Sequence, residues 1–443
     1  MKRIIWKTAA VAAVAALALT ACSSGDSGDS EPTASSTGPD TSPVTLNFTW
    51  WGNDDRAARY NEALALFKEK YPYITVQTSF AAFPDYWTAR STEAAGRALP
   101  DVMQFDLSYL REFNQNGQLL DLQEWVDNGT IDLSGFDETL TTAGVLEEKL
   151  IGIPTSTNTF AMFQNPNVIE QTGATFPDEA EYTWEDYNEF IADVSGAGET
   201  TADGYALYGA VDYTGTFWFF IQWLLQKGVT PFEDDGSFGF DEADVTEFLD
   251  LTADLRADKA VFPVDRNVSL APKGGFTVNE TASEMSWDNF LAGYVADSGT
   301  QNLSMAQIPS IEPGEKALFF KPSMLLSSGA NTEHPEQAAT LINFLLTDPE
   351  VGKIFGTSKG VPAVAAQRDA MDVEEGSIDD KIVGYEEHVA ELVTEDTPLP
   401  VEGYGVVEAE FKRLGEELSY GNITPEEFAD QWFQSAESNL GGA

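Results

Sequence analysis

The chain has 443 residues, 73 of them acidic and 24 basic, for a net charge of −49. That balance argues against a nucleic-acid partner, which needs a basic face, and gives no long-range steering to anionic ligands. With two histidines, His334 and His388, a histidine-rich zinc site is not expected, and neither metal nor cofactor is called for.

The first residues read as a processing signal. Lys2, Arg3 and Lys7 precede an apolar run, Ala9 to Leu19. The run is shorter than the roughly 20 residues that span a bilayer, and fits the core of a secretory signal. It ends in Leu19-Thr20-Ala21-Cys22, which looks like a bacterial lipobox. A signal peptide over 1–21 and lipid on Cys22 are therefore expected. Cys22 is the sole cysteine, so no internal disulfide can form. Ser, Gly, Asp, Thr and Pro then dominate, giving a flexible tether over 22–43 with a mean reach of about 25 Å. About 400 residues remain, enough for two lobes with separate cores.

The mature part opens as strand, helix, strand, helix, strand. Leu46 to Trp50 alternates apolar and polar residues, the period of a half-buried strand. Asp54 and Asp55 are candidate caps for a helix whose apolar face is Ala57, Tyr60, Leu64 and Phe67. Ile74-Thr75-Val76 and Val102 to Phe105 are predicted strands; Tyr86 to Arg97 and Leu107 to Asn116 are predicted helices. The alternation predicts a mostly parallel sheet, with ligand beyond the carboxyl ends of its strands. Further on, Thr183 to Tyr187 starts a helix and Phe217 to Lys227 forms one that is apolar almost all round. Asp241 caps another, expected to run to about Lys259. Ala282 to Asp288 and Ser304 to Pro309 read as strands or lobe crossings, and Asp379 to Leu440 as a mostly helical tail.

Four blocks of residues resemble a known family. They are Trp50-Trp51-Gly52 with Phe67 to Pro72; Gly96 to Val102 with Asp106, Tyr109 and Leu119 to Leu122; Gly152-Ile153-Pro154 with Asn165, Gly173, Pro177 and Thr183 to Asp186; and Met285-Ser286-Trp287 with Pro309, Asp348 to Glu350 and Gly360-Val361-Pro362. In this order they resemble the carbohydrate-binding extracellular solute-binding proteins of ABC importers, the group of maltose-binding protein. The resemblance implies an α/β periplasmic-binding-protein fold of two hinge-linked lobes, each a mostly parallel sheet flanked by helices. It implies no catalysis, a carbohydrate ligand, permease subunits as partners, a monomer, and a place outside the cytoplasm on the cell membrane. Lobe 1 is expected at 44–156 and 307–351, and lobe 2 at 157–306 and 352–443. One departure stands out: where many relatives carry a glycine pair, this chain has Lys321-Pro322-Ser323.

A sugar offers apolar C–H faces to aromatic rings and hydroxyls to short polar side chains. Trp51, after the first strand, is a candidate plate or a core residue, while Trp50 reads as core. Asn53 and Asp54 are hydroxyl partners or helix caps, and Asp106 is either or both. Trp218 and Trp287 are candidate plates that the resemblance supports, and Asp288 adjoins the second. Asn158 lies in a crossing, as ligand contact or hinge. The acidic loop Glu233 to Gly236 fails the EF-hand pattern at Pro231 and reads as a solvated turn. A secreted glycoside hydrolase would also show aromatics and carboxylates, but no catalytic motif stands out. A surface adhesin would need no closing cleft.

Overall fold

The computed structural model describes residues 41–440 apart from 137, 234 and 272. The expected signal peptide, Cys22, most of the tether and Asp234 of the acidic loop lie outside the described residues.

The alternating opening segment forms β1, Val44–Trp51, whose Leu46, Phe48 and Trp50 are buried. Burying an aromatic of that size is worth roughly 1.5–3 kcal/mol, which fixes which face turns inward. β1 pairs in parallel with β2, Ile74–Ala81, along its whole length, and with β3, Val102–Phe105, through Phe48 and Val102. The helix Asp54–Lys70 packs Ala57, Tyr60, Ala63 and Phe67 onto this sheet. A short hairpin of β4, Val145–Leu146, and β5, Lys149–Leu150, follows. β6, Ile153–Asn158, then runs almost without a break into β7, Phe160–Gln164. β8, Ser283–Trp287, and β9, Ser304–Ala306, flank β7 in a second sheet of order β8-β7-β9. The chain returns through β10, Lys321–Ser327, and adds β11, Val361–Pro362, completing a first sheet of order β11-β6-β10-β3-β1-β2.

The expectation of a mostly parallel sheet in each lobe needs correction. In the first sheet only β1 with β2 and β3 are parallel; β10 is antiparallel to β3 and β6, and β11 to β6. The second sheet is antiparallel, with single parallel bridges at Tyr208–Thr281 and Thr183–Ser310. Connectivity supplies the reason. β6 leaves the first lobe and β10 re-enters it, so neighbours on that path run in opposite directions.

Two cores accompany the two sheets. One gathers Phe160 to Phe163, the helix Phe217–Gln226, Leu318, Phe319 and the tail helices through Ala436. The other side of the molecule holds two clusters built from β1, β3, the helix Pro335–Thr347 and Phe355. Packing therefore draws the boundaries differently from 307–351 and 352–443. Ile308, Leu318 and Phe319 belong to the second core and Phe355 to the first, while β11 pairs with β6 of the first sheet and packs its Val361 in the second core. The helix expected from Asp241 to Lys259 is two, Glu242–Asp250 and Ala253–Ala257, parted where the Thr252 hydroxyl donates to Asp212 at 2.9 Å.

Candidate ligand-binding site

Strand register places a set of side chains on one edge of the first sheet. Trp51, Ala81 and Phe105 end the three parallel strands. β10 begins with Lys321, opposite Asn158 at the end of β6, and Lys359 and Gly360 lead into β11 beside Thr157. This edge continues through the chain crossings into the second sheet, whose near edge is the pair Phe160 and Trp287. Gly360 has a φ of +97°, and a Cβ there would meet the Thr157 carbonyl at 2.5 Å and the Asn158 Oδ1 at 2.8 Å. Only glycine lets this loop lie so close to the crossing strand.

The second lobe presents aromatic rings. Trp287 stacks on Phe160 at 4.0 Å and 21°, and meets Trp218 edge to face at 5.6 Å and 76°. Tyr404 and Phe319 lie 5.5 and 6.0 Å from Trp218. The Lys321 Nζ sits 5.5 and 5.4 Å from the Trp218 and Trp287 ring centres, so an ammonium faces both indoles. Trp218 is buried and Trp287 half-buried. The Tyr404 hydroxyl donates to Glu408 at 3.3 Å. Burial raises Glu408 above the ordinary carboxyl range; Lys321 pulls it back and Asp106 adds to the rise. Asp106 belongs to the first lobe, so its field reaches across the boundary.

The first lobe presents a mixed rim. Trp51 is half-buried, edge-on to Phe83 at 5.4 Å and Tyr86 at 5.5 Å. Tyr109 stacks on Trp87 at 3.7 Å. Asp106 is half-buried and accepts the Ser108 amide at 2.9 Å, capping the helix Leu107–Gln115. One carboxylate oxygen is thus committed, and the other takes no protein hydrogen bond among the described residues. Asn158 is buried, and its Oδ1 has no hydrogen-bond partner among the described residues.

One candidate takes its capping alternative, and two sit otherwise than the sequence suggests. Asn53, not Asp54 or Asp55, caps the first helix, accepting the Arg56 amide at 3.0 Å. Asp54 is exposed in the first helical turn, where a carboxylate complements the helix dipole. Asp288 is fully buried and pins the first crossing: it accepts the Thr159 amide at 3.2 Å and the Asn289 amide at 2.7 Å. Burial raises its pKa to about 7, with those bonds and one from Glu386 opposing. Glu386 is buried too and accepts the Thr157 hydroxyl at 2.6 Å, so a carboxyl pair clasps both sides of the crossing. The structure thus gathers Trp218, Trp287, Asn158 and Asp106 around the boundary and leaves Asn53 and Asp54 on the helix start. Lys321, Tyr404, Glu408, Arg56 and Lys359 were not singled out as site residues; only the missing glycine pair drew attention to Lys321.

Two cavities are lined by residues of both lobes, neither of them by Trp218 or Trp287. One of about 390 Å³ lies between Arg111 and Thr142 of the first lobe and Leu225 to Phe232 of the second. One of about 450 Å³ lies between Arg59 and Phe355 on one side and Asn289, Ala292 and Asp379 on the other. Such an arrangement can hold an elongated polar molecule against aromatic faces; Asp106 and Glu408 are the carboxyls identified near the indoles.

Comparison with known proteins places the chain. The family model described as bacterial extracellular solute-binding protein matches residues 62–377. An extracellular solute-binding protein family 1 member from Alicyclobacillus acidocaldarius is 27% identical, with 90% of this chain and 100% of that one covered and a TM-score of 0.72. A periplasmic oligogalacturonide-binding protein of Yersinia enterocolitica is 22% identical over 90% and 99% of the two chains, at a TM-score of 0.74. The GacH receptor of Streptomyces glaucescens, solved unliganded and with acarbose, is 16% identical over 90% and 99%, at 0.66. This chain belongs to the bacterial extracellular solute-binding protein family.

Proposed function

We propose that this protein is the lipid-anchored substrate-binding component of an ABC sugar importer, held outside the cytoplasm by Cys22. It captures a carbohydrate, an oligosaccharide by preference, in the boundary between its lobes and delivers it unaltered to the permease. The observation that carries this is the Trp218–Trp287 pair, set edge to face beside the crossings, with Lys321, Asp106 and Glu408 around it. Aromatic plates with a few convergent polar groups are what a sugar's two kinds of surface require. The names printed for similar structures, an oligogalacturonide-binding protein and a receptor with acarbose, support the same class of ligand. No described helix is long and apolar enough to cross a membrane, which fits anchoring by lipid.

Sugar docks first on the indoles of the second lobe. Bending at Asn158–Phe160 and near Phe320 then brings Asp106 and the first-lobe rim onto its hydroxyls. The closed form is favoured only by the contacts that sugar gains there. The protein acts as a monomer and meets the permease through its lobe tips, and no group in it alters the sugar. A thermal-shift screen of mono- and oligosaccharides checks this: a bound sugar raises the melting temperature and is recovered intact. Slow cleavage would point instead to a glycoside hydrolase.

A further inference from the structure

Arg59 and Lys353 line the 450 Å³ cavity on the first-lobe side, Lys359 stands between its lining residues Ser358 and Gly360, and Arg56 is close enough to act on the Lys359 ammonium. Arg59 pairs with Asp55 at 3.0 Å and Lys353 with Glu350 at 2.9 Å. Arg56 and Lys359 have no ion-pair partner among the described residues. The Arg56 guanidinium donates to the Trp51 carbonyl at 3.0 Å. Lys359 is only 9% exposed, and its ammonium makes no hydrogen bond among the described residues, resting 3.9 Å from the Phe355 ring centre and 5.4 Å from that of Tyr60. Burial, and then Arg56, pull the Lys359 pKa down to about 7. In a chain with 73 acidic residues, a carboxylate for a buried lysine is easily supplied. Leaving an unpaired charge in that position is costly unless something else satisfies it. Beside it, the buried Asn158 Oδ1 is also without a hydrogen-bond partner among the described residues, held against the loop that carries Lys359 and Gly360.

Resting on the sugar-binding function proposed above, we infer that the ligand is an acidic sugar whose carboxylate sits between Arg56 and Lys359. Arginine meets a carboxylate as a fork and lysine as a point charge, so the two together hold one such group. A phosphate is less suited, because the adjacent helix start is already capped: Asn53 occupies the Arg56 amide that would face it. Lys321 is not part of this pair, since its ammonium faces the Trp218 and Trp287 rings instead.

The test is calorimetric titration of the whole mature protein with matched pairs, cellobiose against cellobiouronate and galactobiose against digalacturonate. The inference expects at least one uronate to bind about tenfold or more tighter than its neutral partner. Lys359→Met should abolish that preference, and Lys359→Arg should keep it. Neutral sugars bound as tightly as their uronates by the wild-type protein overturn the inference and leave the sugar-binding function standing. Absence of binding by every sugar, neutral and acidic, overturns both. A preference that survives in Lys359→Met also overturns the inference, because the carboxylate must then sit elsewhere.

Discussion

The two lobes bring different materials to their common boundary. The second brings rings already locked into its main core: Trp218 and Trp287 touch Phe160, Phe319 and Tyr404. The first brings charge and amide groups, Arg56, Asp106, Asn158, Lys321 and Lys359, behind a half-buried Trp51. A rigid apolar plate needs no partner to be stable and can receive ligand in the open state. Charged side chains with unused bonding capacity gain most when the gap closes and water leaves. The difference teaches an order of events: docking on the second lobe, then selection by the first.

The sharpest way to break that comparison is to remove a plate. Trp287→Ala should weaken sugar binding by roughly 1–3 kcal/mol through lost area and stacking, read by calorimetry. An unchanged dissociation constant would take Trp287 out of the site. Next comes the clasp at the crossing. Asp288 has a folded-state pKa raised to about 7, so its contribution to stability is present below the unfolded value of about 4 and is lost as pH rises through 7. Glu386 is shifted upward by burial and by Asp288, with the Thr157 hydroxyl and Arg368 opposing, and burial together with the two carboxyls and Glu179 raises the neighbouring Tyr385. Asp288→Asn should therefore gain on the wild type between about pH 5 and pH 8, by several degrees of melting temperature. Lys359 and Lys316, shifted downward, act in the opposite sense but cancel in this difference. A difference that stays flat with pH would mean Asp288 is not the titrating clasp.

A smaller effect is expected on the first lobe. Asp106→Ala should weaken binding by about 1 kcal/mol, one hydrogen bond's worth, and destabilise the helix Leu107–Gln115 by a similar amount. A loss larger than that of Trp287→Ala would reverse the order of lobes. The smallest binding effect belongs to Asn53→Ala, which removes a cap worth about 1 kcal/mol of stability and leaves sugar affinity as it was.

Local pattern made much of the fold legible. The alternation in Leu46 to Trp50 and the helical face of Ala57, Tyr60, Leu64 and Phe67 are short-range signals; Leu46, Phe48, Trp50, Ala57, Tyr60 and Phe67 lie buried, while Leu64 is only half-buried and Ala63 takes the inner place beside it. Strand direction was not legible beyond β3, because β10 meets β3 and β6 from far along the chain. At the site, the family resemblance pointed to Trp287, but nothing local in the sequence could tell that Asp288, one residue on, turns inward to the Thr159 amide. Lys321 and Lys359 resemble solvated lysines until register sets the first opposite Asn158 and packing closes Tyr60 and Phe355 over the second.

Small-angle scattering on the mature protein, with and without a sugar that calorimetry shows to bind, tests the central claim most directly. The radius of gyration should fall on saturation, with the sugar recovered chemically unchanged. Binding that leaves the scattering curve the same, or a sugar returned in pieces, would contradict it.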